Sequence, residues 1–149
     1  MNRFLYLQDK MKTMTTSSTF QQIEPYLRQA LESKPELVIA YLFGSVARGT
    51  DRAGSDVDIA VVYENDPPPG LAGLGLDLEG ELERGLRRPV QVVVLNSAPP
   101  DLIHRVLRDG KLLLERDRSA RIRFEVRKRN EYFDLLPILR QYRGQEPWP

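Results

Sequence analysis

The order of elements read from the sequence predicts an α/β (α+β) chain, a small mixed β-sheet with helices packed on it and a long helix at its C-terminal end. Three observations predict it. Short runs of strand formers at 36–43, 56–63 and 89–95 alternate with stretches whose apolar residues recur at helical spacing. The links between them are short and marked by glycine and proline. The 149 residues are 41% apolar and 29% charged, a balance that suits one folded domain rather than a disordered chain.

Residues 1–18 read as a disordered N-terminal extension, polar from Thr13 onward, and a domain is expected over 19–143. Thr19 can cap a first helix running to Ser33, with Ile23, Leu27, Ala30 and Leu31 on its apolar face and Pro35 beyond its end. Glu36–Phe43 and Asp56–Tyr63 are the first two strands. Only about a dozen residues join them, with Gly44, Gly49 and Gly54 and room for one helical turn. Leu71, Leu74, Leu78, Leu82 and Leu86 mark an amphipathic helix, weakened by Gly73, Gly75 and Gly80. Pro89–Leu95 is a third strand. Asn96 or Ser97 can cap the helix entered through Pro99-Pro100, whose buried face would be Leu102, Ile103, Val106 and Leu107. Gly110 stops it, Lys111–Glu115 is a short fourth strand, and a long helix spans Asp117–Tyr142, with a kink expected at Pro137. Residues 144–149 form a loose tail.

Composition excludes several classes of function. There is no cysteine, so a disulfide scaffold, a thiolate metal site and a cysteine nucleophile are ruled out. Twenty-two basic against 21 acidic residues give a net charge of +1, which implies no bulk affinity for nucleic acid. No apolar run is long enough to cross a bilayer and the N-terminal apolar block is short, so no membrane association and a cytoplasmic location are expected. From Arg116 onward nine basic residues face five acidic ones. That surplus reads as a solvated helix face or as a docking surface for a partner.

The chemistry concentrates in residues 43–59. Asp56 and Asp58 stand two apart at the start of an apolar strand, where period-two geometry turns both carboxylates to one face. Like charges at that spacing raise the cost of ionisation, and a divalent cation removes it. Hard Mg²⁺ takes one or two protein carboxylates together with substrate phosphates. Gly44-Ser45 closes the preceding strand and offers backbone N–H groups and a hydroxyl to a phosphate. Arg48 lies about one turn later and can pair with another phosphate. Adjacent strands thus present anion-binding groups and metal-binding carboxylates, which is what holding a nucleoside triphosphate with Mg²⁺ requires.

The segment resembles the DNA polymerase β-like nucleotidyltransferase superfamily, whose pattern is Gly-Ser, a spacer, then Asp-x-Asp. Ten residues lie here between Ser45 and Asp56. Gly44-Ser45-Val46-Ala47-Arg48-Gly49 followed by Ser55-Asp56-Val57-Asp58 is similar to the minimal nucleotidyltransferases, the MNT antitoxin group. The similarity extends through Val90–Leu95 and Asp109–Leu113 to the last helix around Tyr132-Phe133. The resemblance implies a compact nucleotidyltransferase fold, ATP as substrate, Mg²⁺ as cofactor and a HEPN-domain ribonuclease toxin as partner, modified on a tyrosine hydroxyl by transfer of AMP. It places Gly44, Ser45, Arg48 and Ser55 around the nucleotide and makes Asp56 and Asp58 the catalytic metal ligands. It also implies a third carboxylate on the next strand. The matching position is Gln91, an amide that brings neither charge nor a general base. That departure leaves open a catalytically impaired member that neutralises its partner by binding alone.

Weaker features are read as structural. His104, the one histidine, has no evident catalytic partner and is assigned to packing or surface. Tyr132, Phe133, Leu136 and Leu139 are expected in the core. Phe124, Leu135 and Tyr142 fall off that stripe and suggest a second contact face. Arg121, Arg123, Arg127, Lys128 and Arg129 are read as a solvated or docking cluster, because no nucleic-acid-binding module accompanies them.

Overall fold

A computed structural model describes residues 18–70, 73 and 75–144. The expected extension up to residue 17, the expected tail from residue 145, and Leu71 and Leu74 of the predicted leucine helix lie outside the described residues. The element order is α1 (Thr19–Glu32), β1 (Leu37–Phe43), α2 (Gly44–Arg48), β2 (Val57–Tyr63), α3 (Leu76–Leu86), β3 (Val90–Val94), α4 (Pro100–Asp109), β4 (Lys111–Glu115) and α5 (Arg118–Tyr142).

The four strands form one mixed sheet in the order β3-β2-β1-β4. β1 runs antiparallel to β2 and to β4, and β2 runs parallel to β3 with α3 as the crossover. Alternation along the strands sends side chains to two helical layers. Val57, Ile59 and Val61 of β2 pack with Ile23, Leu27 and Leu31 of α1 and with Leu78 and Leu82 of α3. On the other face Ile39, Tyr41, Ala60 and Val62 meet Ile103 and Val106 of α4 and Phe124 of α5. Residues of β2 are buried on both faces, as a strand inside such a sandwich must be.

Several expected caps differ. Ser18, not Thr19, caps α1: its hydroxyl accepts the Gln21 N–H and the Gln21 side chain accepts the Ser18 N–H. The Thr19 hydroxyl instead donates to Asp51 at 2.6 Å. The leucine helix starts only at Leu76, because Gly75 sits at φ 72°, outside helical space. Neither Asn96 nor Ser97 caps α4, which begins from Pro99. Asn96 bonds the Tyr63 backbone through both its carbonyl and amide groups, tying the ends of β2 and β3 together. Glu83 and Glu79 accept the outward N–H groups of Val90 and Val92 at 3.1 and 2.9 Å, so the helix closes the free edge of β3.

Helix α5 departs most from expectation. Its buried aromatic is Phe124, whereas Phe133 is 58% exposed. Tyr132 is half-buried and stacks on His104 with ring centroids 3.8 Å apart. Six of the seven large exposed hydrophobic residues among those described lie on α5. In the basic cluster, Arg121 bridges Glu115 and Glu125, and Lys128 pairs with Glu131. Arg116, just before α5, donates to the carbonyls of Glu32, Lys34 and Leu37, holding the α1–β1 turn.

Candidate active site

The end of β1, the start of β2 and the start of β3 meet at one edge of the α4 face. Register places Phe43 opposite Asp58, and Asp58 opposite Gln91 on the parallel neighbour. Side chains at matched positions of neighbouring strands share a face, so Asp58 and Gln91 point together toward α4. Between them and α4 opens a cleft of about 560 Å³. Gly44, Ser45 and Arg48 of α2 form one wall, Asp58, Gln91 and Val93 the floor, and Leu102, Arg105, Arg108 and Asp109 of α4 the other wall.

The Gly-Ser corner is shaped by its glycine. Gly44 has φ 75°, the left-handed region, and a Cβ there would run into the Asp58 carboxylate. Only glycine lets the β1–α2 corner lie directly against that acid. Helix α2 then ends at Gly49, also left-handed at φ 74°, where Thr50 N–H returns to the Ser45 carbonyl at 2.9 Å.

Asp58 is half-buried, and its carboxyl is pushed above the ordinary carboxylate range by burial first and by the neighbouring Asp56 charge second; Arg48 pulls the other way. Asp56 lies just before β2 and is exposed. The loop carrying it is pinned from behind: Arg88 donates to the Ser55 carbonyl at 2.8 Å and lies 3.9 Å from Asp51. A half-buried carboxylate beside a second one, facing a cleft with an amide oxygen within it, is a donor set that fits a hard divalent cation. Among the described residues no group of three His, Cys, Asp or Glu gathers at a metal-binding distance.

Of the residues singled out from sequence, Gly44, Ser45, Arg48, Asp58 and Gln91 line the cleft together. Asp56, exposed just before β2, does not line it but lies close enough for its charge to raise the Asp58 carboxyl. Ser55 does not line it; its hydroxyl accepts the Arg52 N–H at 2.8 Å and shapes the turn. Sequence reasoning missed Leu102, Arg105, Arg108 and Asp109. The available signal was the spacing of Arg105 and Arg108, three apart on the polar side of a helix whose apolar face was already assigned. Arg108 closes onto Asp109 through two hydrogen bonds at 3.0 and 2.9 Å, which holds the Asp109 carboxyl below its ordinary range.

Comparison with known proteins agrees with this fold. The polymerase beta nucleotidyltransferase family model matches residues 25–119. The protein adenylyltransferase MntA of Shewanella oneidensis is 38% identical over 79 residues, 53% of this chain and 55% of that protein. The match thus spans about half the length of that relative. Among solved structures, a toxin–antitoxin crystal structure with AMP-PNP contains a chain 31% identical, with a TM-score of 0.69 over 80% of this chain and 93% of that one. A complex of a tri-AMPylated Shewanella oneidensis HEPN toxin with its MNT antitoxin contains one 28% identical, with a TM-score of 0.65 over 82% and 93%.

Proposed function

The chain belongs to the polymerase beta nucleotidyltransferase family, and from that premise we propose that it transfers AMP from ATP to a tyrosine hydroxyl of a HEPN-domain toxin and thereby serves as its antitoxin. The observation that carries this reading is the meeting of Gly44-Ser45 with Asp58 across one cleft edge. The relatives named as an adenylyltransferase and as an antitoxin bound to an AMPylated HEPN toxin support it.

Each residue has a part in the reaction. Backbone N–H groups at Gly44-Ser45, the Ser45 hydroxyl and Arg48 hold the phosphate chain. Asp56 and Asp58 would hold Mg²⁺, which supplies charge neutralisation at the phosphates when bound. The acceptor oxygen attacks the α-phosphorus in line, the bond from that phosphorus to the bridging oxygen breaks, and pyrophosphate leaves with the electron pair. The acceptor proton passes to solvent water, because the amide at Gln91 cannot take it. General bases contribute about 10²–10⁴-fold, so Gln91 slows transfer relative to a carboxylate at the same place.

Helix α5 supports the partner assignment. Ile122, Val126 and Phe133 recur at helical spacing on one side and Ile138 and Tyr142 lie exposed on another, the surface on which the toxin would dock.

A second reading is favoured by Gln91 itself, which stands in register with Asp58 where a third acid is expected. In that reading the chain keeps its fold and nucleotide site but silences the toxin by occupancy. One experiment separates the two. The chain is incubated with a HEPN partner, ATP and Mg²⁺, and the partner is weighed by mass spectrometry. A gain of one or more adenylyl units supports transfer; a stable, silenced complex with no gain supports binding alone. No complex at all would contradict both.

A further inference from the structure

Arg105 is the cleft cation that neither the motif nor the fold accounts for. Three guanidinium groups line the cleft. Arg108 is consumed by Asp109. Arg48 belongs to the Gly-Ser corner and faces the Asp58 charge. Arg105 is exposed, on the middle of α4, and no described residue forms a hydrogen bond or ion pair with it. It lies too far from the end of α4 for its charge to be explained by the last turn of the helix, the position Arg108 fills.

Arg105 also lines a second cavity of about 450 Å³ between α4 and α5, with Asp101, His104, Arg108, Tyr132 and Arg143. It therefore stands on the ridge between two cavities. In the second one Arg143 is already met by Asp101 at 2.8 Å, and His104 by the Tyr132 ring. In the first, a triphosphate would bring several negative charges to a wall whose Arg108 is already neutralised. The unmet charge is on the cleft side.

We propose that Arg105 binds the β- and γ-phosphates of ATP from the α4 wall, opposite Gly44-Ser45, and holds the pyrophosphate as it leaves. The inference rests on the cleft being the ATP site. When the bond between the α-phosphorus and the bridging oxygen breaks, negative charge builds on the departing pyrophosphate. A guanidinium fixed on a helix meets that charge with two donors at once. Lysine at the same place would supply charge without the fork.

Equilibrium binding of ATP, AMP and pyrophosphate, each with Mg²⁺, tests this in the full chain. The variants are Arg105→Ala, Arg105→Lys and, as an exposed arginine that lines neither cavity, Arg123→Ala. Charge-assisted hydrogen bonds predict a loss of about 10–100-fold for ATP and pyrophosphate in Arg105→Ala. AMP binding should be unchanged, Arg105→Lys should fall between, and Arg123→Ala should match the parent. Parent-like affinity of Arg105→Ala for ATP and pyrophosphate would overturn the proposal and leave the ATP site standing. So would an equal loss for AMP, which would mean a distorted cleft. A parent chain that takes up no ATP would overturn the reading of the cleft itself.

Discussion

At the scale of single residues, the cleft holds a carboxylate that the fold tolerates at a cost. Asp58 sits half-buried beside Asp56, in contact distance of the Gly44 corner, and both burial and like charge oppose its ionisation. Removing the charge without changing the shape should relieve the fold and ruin the site. Asp58→Asn is expected to melt higher than the parent in the presence of a chelator, while its ATP affinity with Mg²⁺ drops by well over about tenfold. Thermal denaturation and titration on the same sample check both halves, and a lower melting point with ATP affinity intact would refute them. Gln91 makes the opposite prediction. Because it stands in register with Asp58, Gln91→Asp restores a third acid, and the initial rate of AMP transfer should rise by about 10–100-fold, within the general-base range. An unchanged rate would show that hydroxyl activation does not pass through this position.

At the scale of elements, two neighbouring residues of α5 meet the sheet. Phe124 is its one buried residue among those described, and the Tyr41 hydroxyl on β1 donates to Glu125 at 2.8 Å. Burial, then that hydrogen bond, holds the Tyr41 phenol above its ordinary range. A raised phenol favours the protonated, folded form. Its contribution is therefore complete below about pH 10 and is lost as pH rises through the raised value. Tyr41→Phe should cost about 0.5–1.5 kcal/mol at neutral pH and should flatten the alkaline fall in stability, as followed by denaturant titration from pH 8 upward. An identical alkaline slope in both proteins would contradict the assignment. The outer side of α5 presents apolar residues to solvent. Phe133 is exposed and meets Tyr132 and His104 edge-on. Phe133→Asp is expected to leave the melting temperature within a few degrees and ATP binding unchanged while weakening association with a HEPN partner by tenfold or more, on the order of a 1.4 kcal/mol loss. Deleting α5 is a poorer test, since it would also remove Phe124 from the core.

At the scale of the whole molecule, the strands and the Gly-Ser corner were legible in the sequence because β2 is buried on both faces and reads as an uninterrupted apolar run after its two acids. The third strand was legible as a short apolar run at the sheet edge, broken only by Gln91, whose exposed side chain marks it as the polar position. Helix boundaries were less so. The leucine repeat from Leu71 fits helical spacing, yet Gly75 takes a left-handed φ and postpones the helix to Leu76. Polar residues were misassigned where their partners are distant in sequence. Asn96 reads as a cap but spans to Tyr63, and only the fold shows Glu79 and Glu83 sealing the β3 edge. The α4 wall of the cleft was invisible for a related reason: spacing shows that Arg105 and Arg108 share a helix side, but only the packing of α4 on the sheet shows that this side faces Asp58. One titration tests the metal-dependent nucleotide site directly. Calorimetry of the full chain with ATP, with and without Mg²⁺, should show uptake that depends on the metal, with Asp58→Asn folded but silent. Folded parent protein giving no heat with Mg²⁺ and ATP, or Asp58→Asn binding as tightly as the parent, would contradict it.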